Sequence, residues 1–94
     1  EVLKDVAVQV APVSQAEALQ MIQSLKLYPL LQGVRGKSPA DVQAMAATVA
    51  RLSELAVNHA ADIAEIDLNP VLVQDAGKGV IAVDALMVPT LQQA

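Results

Sequence analysis

The stretch EIDLNP, residues 65–70, decides how this 94-residue sequence is interpreted, together with VIAVDA at residues 80–85. Both segments have the apolar, β-branched character of strands. Asp67, Asn69 and Asp84 interrupt them with carboxylate and amide groups, which are costly inside a sheet unless a partner compensates them. A bound cation would be such a partner, although strand-end aspartates and Asn-Pro pairs also commonly serve turns.

A hairpin between these segments would place two of the polar residues face to face. If Gln74 faces Gly79 across a four-residue loop, the same antiparallel register places Asn69 opposite Asp84. Directly opposed residues point to one side of a sheet, with Cβ atoms about 4.5 to 5.5 Å apart. We therefore predict that Asn69 and Asp84 ligate one metal ion, with Asp67 one pleat further along the same face.

Oxygen ligands of this kind suit a hard cation such as magnesium. The other face of the hairpin is predicted to pack against helices through apolar side chains, namely Ile66, Leu68, Leu72, Ile81 and Val83. Apolar residues also flank the predicted metal ligands on their own face, and we expect something to cover them: Val71, Val73, Val80 and Ala82.

The upstream sequence begins with a predicted strand and a predicted helix. Residues 2–10 are rich in valine with an alternating pattern, which is typical of a strand. Ser14 and Glu17 have the spacing of a capping box, so the first helix should begin there and continue to about Ser24. Residues 27–37 contain one proline and two glycines without a sustained period, and we expect a connection without helix or strand.

A second helix is predicted after this connection. Ser38 is the expected N-cap, Pro39 the first helical residue and Asp41 an acidic residue of the first turn. The helix should end near Asn58 or His59. One apolar stripe along it is predicted to face the core: Val42, Met45, Val49, Leu52 and Ala56.

These elements predict one α/β domain of the α+β kind over residues 1–94. Its expected form is a two-layer sandwich, in which an antiparallel sheet of about three strands has two helices on one face, in the order β-α-α-β-β. Because the first residue is Glu1, and because it already lies in a strand pattern, we expect the domain to be a fragment of a longer polypeptide.

Composition excludes several classes of function. The net charge is -4, and Tyr28 is the only aromatic residue, so a nucleic-acid partner is not expected. The absence of cysteine leaves no thiolate ligands for a metal. No apolar run approaches the roughly 18 residues of a membrane span, so the sequence predicts a cytoplasmic protein without a membrane partner.

The chain resembles the C-terminal part of the ATP-grasp domain of NDP-forming acyl-CoA synthetases. This family includes ADP-forming acetate-CoA ligase and is related to the β subunit of succinyl-CoA synthetase. The resemblance extends over nearly the whole chain and is carried by EVLKDVAVQVAPV, LLQGVRGKSPADVQAMA with RLSELA, and EIDLNPVLV with VIAVDALM. By this resemblance, Asn69 and Asp84 correspond to the residues that bind the magnesium accompanying the nucleotide. Asp67 corresponds to the acidic residue two positions before the asparagine in related sequences.

The resemblance also implies a reaction. Enzymes of this family convert an acid, CoA and ATP into acyl-CoA, ADP and phosphate through a phosphohistidine carried on another domain, and they use Mg²⁺ and ATP or ADP. Arg35 and Lys37 precede the second helix, whose N-terminal N–H groups could bind an anion, so these residues are candidates for contacting a phosphoryl group. The alternative is that both belong to a solvated basic loop.

A complete family member contains more than this chain. These 94 residues show no counterpart of the half that supplies the adenine pocket and a phosphate-contacting lysine, and we expect no catalytic residue among them. We therefore expect the chain to be inactive alone and to require the remaining ATP-grasp half and the CoA-binding and ligase domains as partners. The alternative is a regulatory or structural interaction module, as in a protein acetyltransferase fusion, and such a module would be expected to self-associate.

Overall fold

The structure is a computed structural model that describes residues 5–91 and contains helices together with antiparallel strands. This confirms the predicted fold class. None of the helices in this range is long and apolar enough to cross a membrane. The helices are α1 (Gln15–Gln23), α2 (Tyr28–Leu31) and α3 (Val42–Asn58), and the strands are β1 (Ile63–Leu68), β2 (Val71–Val73), β3 (Val80–Ala82) and β4 (Ala85–Pro89).

The first helix has the predicted cap. The Ser14 hydroxyl oxygen accepts a hydrogen bond from the N–H of Glu17 at 3.0 Å, and the Glu17 carboxylate accepts one from the N–H of Ser14 at 3.0 Å. Both bonds satisfy N–H groups that have no partner within the helix. The helix ends at Gln23 with Ser24 as its C-cap, which agrees with the predicted end.

The connection after α1 contains a short helix that the sequence did not predict. Tyr28–Leu31 form one helical turn, with Pro29 near its start. Proline is compatible with the first turn of a helix because its missing N–H would have no intrahelical partner there. Pro29 thus starts a helical turn within a segment for which the sequence predicts only a connection.

The start of α3 differs from the prediction. Asp41, rather than Ser38, is the N-cap, and its carboxylate accepts a hydrogen bond from the N–H of Ala44 at 3.1 Å. The reason is a tertiary contact, because Ala40 forms an antiparallel bridge with Asp75. The backbone before Asp41 therefore remains extended, and the helix begins only after it. The end of α3 at Asn58 is as predicted.

The hairpin has the predicted register. Val71 pairs with Ala82 and Val73 with Val80, and the N–H of Gln74 donates to the carbonyl oxygen of Gly79 at 3.1 Å. The register continues unchanged between β1 and β4 until an irregularity between Ile63 and Glu65.

The strands do not form the single sheet of about three strands that the sequence predicts. The hairpin forms two two-stranded antiparallel sheets, β1 with β4 and β2 with β3. Pro70 lies at the interruption between them, and proline has no N–H with which to continue the pairing.

The predicted first strand is not found. Residues 5–10 belong to no strand, and residues 2–4 lie outside the described part of the chain. A strand requires a neighbour, and the hairpin strands described here pair only with each other. The apolar side chains of this segment are consequently exposed, with Val6 at 73%, Val8 at 87% and Val10 at 85%.

The core lies between α1 and α3. Its buried members are Val13, Ala18, Ile22 and Ala46. Partly buried apolar residues pack around them, namely Leu19, Met21, Tyr28, Leu31, Val42, Met45 and Val49. Three residues of the predicted α3 stripe, Val42, Met45 and Val49, therefore do contact the core.

The side of the hairpin that faces α3 changes halfway along. Ile66 and Leu68 line cavities together with side chains of α3, as predicted. In β2, however, Val71 lines the same space, although it has the opposite parity. A regular strand keeps one parity on one face. The half-buried positions change from Ile66 and Leu68 to Val71 and Val73, so the two faces exchange at residues 69–70.

This exchange overturns part of the predicted packing. Three residues assigned to the helix-facing side are exposed instead: Leu72 at 51%, Ile81 at 49% and Val83 at 57%. On the side that was expected to need a cover, Val71, Val73 and Val80 are half-buried, and Ala82 is exposed. The prediction failed because it counted parity through the interruption as though the pleat were continuous.

Candidate metal-binding site

Asn69 and Asp84 face each other at the interruption of the hairpin. The N–H of Asn69 donates to the carbonyl oxygen of Asp84 at 3.1 Å, and the N–H of Val83 donates to the carbonyl oxygen of Pro70 at 3.0 Å. These two bonds connect the β1–β4 and β2–β3 ladders in the same register. The predicted opposition of Asn69 and Asp84 is therefore present in the backbone.

The three predicted metal ligands are all exposed to solvent. Asp67 belongs to β1, where its register partner is Leu86. Asp84 precedes β4, and its Oδ1 accepts a hydrogen bond from the N–H of Ala85 at 2.8 Å. This bond engages one of the two oxygens of the Asp84 carboxylate and fixes the orientation of the side chain.

The oxygen atoms of the three predicted ligands suit a magnesium ion whose remaining coordination positions are filled by other oxygen ligands. Within residues 5–91, no group of three or more His, Cys, Asp or Glu side chains could hold a metal ion. The predicted set has two carboxylates, Asp67 and Asp84, and the amide of Asn69. Magnesium prefers oxygen ligands and usually retains waters or phosphate oxygens beside one or two carboxylates. Metal binding by these residues remains a prediction.

Arg35 and Lys37 lie in a tight turn before α3. The N–H of Lys37 donates to the carbonyl oxygen of Val34 at 3.0 Å. Both central residues have positive φ, 54° at Arg35 and 78° at Gly36, as in a type I′ turn. The side chains of Arg35 and Lys37 are exposed.

The chain that follows this turn meets the hairpin at its tip. Ala40 bridges Asp75, which is six residues from Asn69 and thus about 20 Å away along an extended strand. The described contacts therefore do not bring the basic turn to the predicted metal ligands. The N-terminus of α3, which was the expected anion site, also differs from expectation, because the Asp41 carboxylate already accepts a hydrogen bond from the N–H of Ala44. Phosphate binding by Arg35 and Lys37 remains a prediction.

Asp41 joins the start of α3 to the tip of the hairpin, a tertiary role that the sequence did not indicate. Besides capping α3, its Oδ2 accepts hydrogen bonds from the N–H of Gly79 at 2.8 Å and of Gly77 at 3.1 Å. These bonds, first that from Gly79 and then that from Ala44, lower the pKa of the Asp41 carboxyl below its ordinary value. The available signal was the residue type, because aspartate is a preferred N-cap residue and is also common in the first turn of a helix.

Cavities separate α3 from the hairpin. Two open, mostly apolar spaces of about 310 and 260 Å³ share the lining residues Thr48, Leu52, Ile66 and Leu68. A third space of about 580 Å³ lies at the start of α1 and includes Ser14 and Arg51 in its lining, but none of the predicted site residues. Packing between α3 and the hairpin is therefore open, unlike the close contact between α1 and α3.

The sequence matches the family model described as "ATP-grasp domain" over residues 1–88. The chain therefore belongs to the ATP-grasp domain family. Within this family, several curated proteins that contain a closely similar segment are ADP-forming acyl-CoA ligases.

Two curated relatives illustrate the similarity. The chain is 51% identical over 79 residues to the 4-hydroxybutyrate–CoA ligase [ADP-forming] of Nitrosopumilus maritimus, covering 84% of the chain and 11% of that protein. It is 42% identical over 88 residues to the β subunit of acetate–CoA ligase [ADP-forming] I of Pyrococcus furiosus, covering 94% of the chain and 37% of that subunit.

Solved structures share the fold. A crystal structure of a Pyrococcus horikoshii protein matches with a TM-score of 0.87 and 34% identity, covering 94% of this chain and 37% of that one. The dinucleotide forming acetyl-coenzyme A synthetase 1 of Ca. Korarchaeum cryptofilum, in complex with coenzyme A and Mg-AMPPCP, matches with a TM-score of 0.81 and 37% identity, covering 89% and 38%. The chain thus spans well under half the length of these proteins.

Proposed function

We propose that the hairpin of this chain supplies magnesium ligands to the nucleotide site of an ADP-forming acyl-CoA synthetase. The observation that carries the proposal is the opposition of Asn69 and Asp84, joined by the backbone hydrogen bond at 3.1 Å. A carboxylate and an amide held at one step of a hairpin provide two oxygen donors for one hard cation.

The similarity to nucleotide-binding enzymes supports this proposal. The Korarchaeum synthetase, 37% identical to this chain, is described in complex with Mg-AMPPCP and with its phosphohistidine segment pointing towards the nucleotide binding site. The proposed reaction converts an acid, CoA and ATP into acyl-CoA, ADP and phosphate, with a phosphohistidine as the carrier between sites. Cofactors of this reaction would be Mg²⁺ and ATP or ADP.

The residues of the hairpin would act by holding and orienting the cation. Asn69 and Asp84 would ligate it from opposed strands, and Asp67 would add a carboxylate two residues before Asn69. Magnesium in such sites bridges nucleotide phosphates and offsets the charge that develops during phosphoryl transfer. The exposed position of all three side chains leaves room for phosphate and water ligands.

The proposed activity requires partners. We propose that the remaining ATP-grasp half and CoA-binding and ligase domains complete the site, that the chain alone is not catalytic, and that the complete protein is cytoplasmic. Complete protein here means this chain together with those parts. The small share of each relative that the chain covers, 11% and 37% in the two relatives above, supports this assignment.

A titration of the complete protein tests the metal site. Asn69→Ala and Asp84→Asn should each weaken magnesium-dependent binding of ADP by about tenfold or more, because each removes a ligand or its charge. Asp84→Asn keeps the oxygen that accepts from Ala85, so it preserves the local fold. Asp75→Asn is the matched control, since it removes a carboxylate from the same hairpin at a distant position.

Unchanged binding of Mg-ADP in these variants would contradict the proposed metal site. If Asn69→Ala and Asp84→Asn both bind Mg-ADP as the unmodified protein does, these residues do not hold the metal. If Asp75→Asn weakens binding as much as they do, general loss of negative charge explains the effect.

Arg35 and Lys37 form a secondary part of the proposal as phosphoryl-binding residues. Their exposed turn and positive charge support it, although the contacts of the following segment lie at the hairpin tip. Arg35→Gln and Lys37→Gln should lower the rate of phosphoryl transfer in the complete protein, while Lys26→Gln, an exposed cation elsewhere, should not. Equal rates in all three variants would remove this assignment.

A second candidate function is an interaction module. The outer side of the hairpin exposes Leu72, Ile81 and Val83 at 51%, 49% and 57%, and residues 5–10 expose a row of valines. Under this hypothesis the chain self-associates through the hairpin, and Leu72→Ser with Ile81→Ser should dissociate it. A chain that remains monomeric by light scattering at high concentration would contradict self-association.

A further inference from the structure

The tip of the hairpin is fastened to the start of α3 by one residue. The Asp41 carboxylate accepts hydrogen bonds from three N–H groups, at 3.1 Å from Ala44, 3.1 Å from Gly77 and 2.8 Å from Gly79. The N–H of Asp41 also donates to the carbonyl oxygen of Gln74 at 2.7 Å. Hydrogen bonds to an ionised carboxylate are stronger than those between neutral groups, so this is a firm polar attachment.

The attachment continues without a register change to the predicted metal ligands. Gln74 pairs with Gly79 at the tip, and the β2–β3 ladder extends from there to Val71 and Ala82. The next bonds are those of the interruption, ending with Asn69 and Asp84. Because each pair fixes the next, the position of the tip determines which residues are opposed at the interruption.

The middle of the hairpin has little other support. On the side towards α3 the packing leaves spaces of about 310 and 260 Å³, and on the outer side Leu72 and Ile81 are 51% and 49% exposed. Sparse apolar contact permits local opening of a hairpin. The polar attachment at the tip is therefore well placed to limit such movement.

From these contacts we infer that Asp41 is a positioning residue that holds Asn69 and Asp84 in register for binding a divalent cation. This inference rests on the proposed function of the hairpin. Asp41 itself does not touch the cation, because it lies at the far end of the β2–β3 ladder. The lowered pKa of its carboxyl agrees with an ionised side chain held by N–H donors.

Two variants separate this role from simple helix capping. Asp41→Ser keeps a good N-cap for the N–H of Ala44 but is too short to reach the hairpin, and Asp41→Asn keeps the size of the side chain but loses its charge. Asp75→Asn is the matched control, because Asp75 lies in the same tip and its described bonds are formed by the backbone.

The first measurement is amide hydrogen exchange in the complete protein. In Asp41→Ser, the peptide containing Gly77 and Gly79 should exchange at least about tenfold faster, since two charge-assisted hydrogen bonds are lost. The start of α3 should keep its protection. Asp41→Asn should give a smaller change in the same direction, and Asp75→Asn should give none.

The second measurement is the magnesium concentration that half-saturates ADP binding. Asp41→Ser should raise it about threefold or more, whereas ADP affinity at saturating magnesium should return to the unmodified value, because the ligands themselves are intact. A general folding defect would instead be detected as lost protection at the start of α3, which this inference expects to be kept.

The outcomes distinguish this inference from the proposed function. If Asn69→Ala weakens magnesium binding but Asp41→Ser does not, or if Asp41→Ser leaves exchange at the tip unchanged, the positioning role is wrong and the metal site stands. If Asn69→Ala and Asp84→Asn have no effect, the proposed metal site is wrong and the positioning role is rejected with it.

Discussion

The hydroxyl oxygen of Ser53 lies 3.0 Å from the backbone nitrogen of Val13 and accepts its hydrogen bond. This contact fastens the segment before α1 to the middle of α3, where Val13 is one of the buried residues. We predict that Ser53→Ala lowers the free energy of unfolding by about 1 to 2 kcal/mol, because a partly buried N–H loses its acceptor. Urea unfolding would measure the change.

Ser24→Ala is the control for this prediction. The Ser24 hydroxyl donates to the carbonyl oxygen of Met21 at 2.6 Å on an exposed surface, where water can replace it. A change within about 0.5 kcal/mol is expected there. Equal losses in the two variants would show that burial of the Val13 bond is not important.

Close packing of α1 against α3 predicts a sharp difference between two alanines of α1. Ala18 is fully buried, whereas Ala16 is exposed. Ala18→Leu should therefore destabilise the chain by about 1 to 3 kcal/mol through overpacking, and Ala16→Leu should change stability by less than about 0.5 kcal/mol. Thermal unfolding of both variants tests this, and an unaffected Ala18→Leu would show that the helix interface can expand freely.

Two glycines of the turn region should differ in their tolerance of alanine. A Cβ on Gly33 would lie 2.6 Å from the carbonyl oxygen of Lys37, and φ at Gly33 is 89°. Gly36 also has a positive φ of 78°, but no atom lies within 4 Å of its would-be Cβ. We expect Gly36→Ala to lower the free energy of unfolding by about 1 kcal/mol, and Gly33→Ala to lower it by at least about twice as much.

Chemical denaturation of these two variants would measure the difference. Gly36→Asn serves as a control, since asparagine tolerates positive φ better than alanine. A Gly33→Ala variant as stable as Gly36→Ala would mean that the backbone of the turn can move away from residue 33.

Two lowered carboxyl pKa values predict an acid-sensitive fold. Hydrogen bonds from Ser14 lower the pKa of Glu17 below 4.5, the backbone bond being the larger cause. The bond from Gly79, followed by that from Ala44, lowers the pKa of Asp41 below 3.8. A group with a lowered folded-state pKa stabilises the fold fully above its unfolded pKa, and this stabilisation disappears as the pH falls through the folded-state value.

Stability should accordingly be level near neutral pH and decrease below about pH 4.5. Glu17→Gln and Asp41→Ser should each make the decrease shallower, because each removes one of the titrating groups. Unfolding curves recorded at pH 7, 5, 4 and 3 would test this, and an unchanged acid profile in both variants would contradict the assignment of these two carboxyls.

The sequence predicted the local features of the fold well. Ser14 and Glu17 defined a cap through contacts only three residues apart, and the short loop after Gln74 set the register that places Asn69 opposite Asp84. Both depend on interactions between neighbouring positions. The ligand role of the opposed pair depends on a bound ion and remains a prediction.

The features that were missed depend on distant contacts. The N-cap of α3 shifted to Asp41 because Ala40 pairs with Asp75, far away in the sequence. Residues 5–10 lack the neighbouring strand that their valines favour, and a neighbour cannot be inferred from one segment alone. The exchange of hairpin faces arises at residues 69–70, where parity no longer indicates the buried side.

That exchange divides the hairpin into two stretches with opposite patterns of mutational tolerance. Before the interruption, the stability of the fold should tolerate polar substitutions at Glu65 and Asp67 but not at Ile66 or Leu68, whatever their effect on metal binding. Beyond it the tolerant position should be Leu72, with an even number, while Val71 and Val73 resist. A comprehensive substitution scan would therefore record a phase shift at Asn69, at the point where the polar pair also lies.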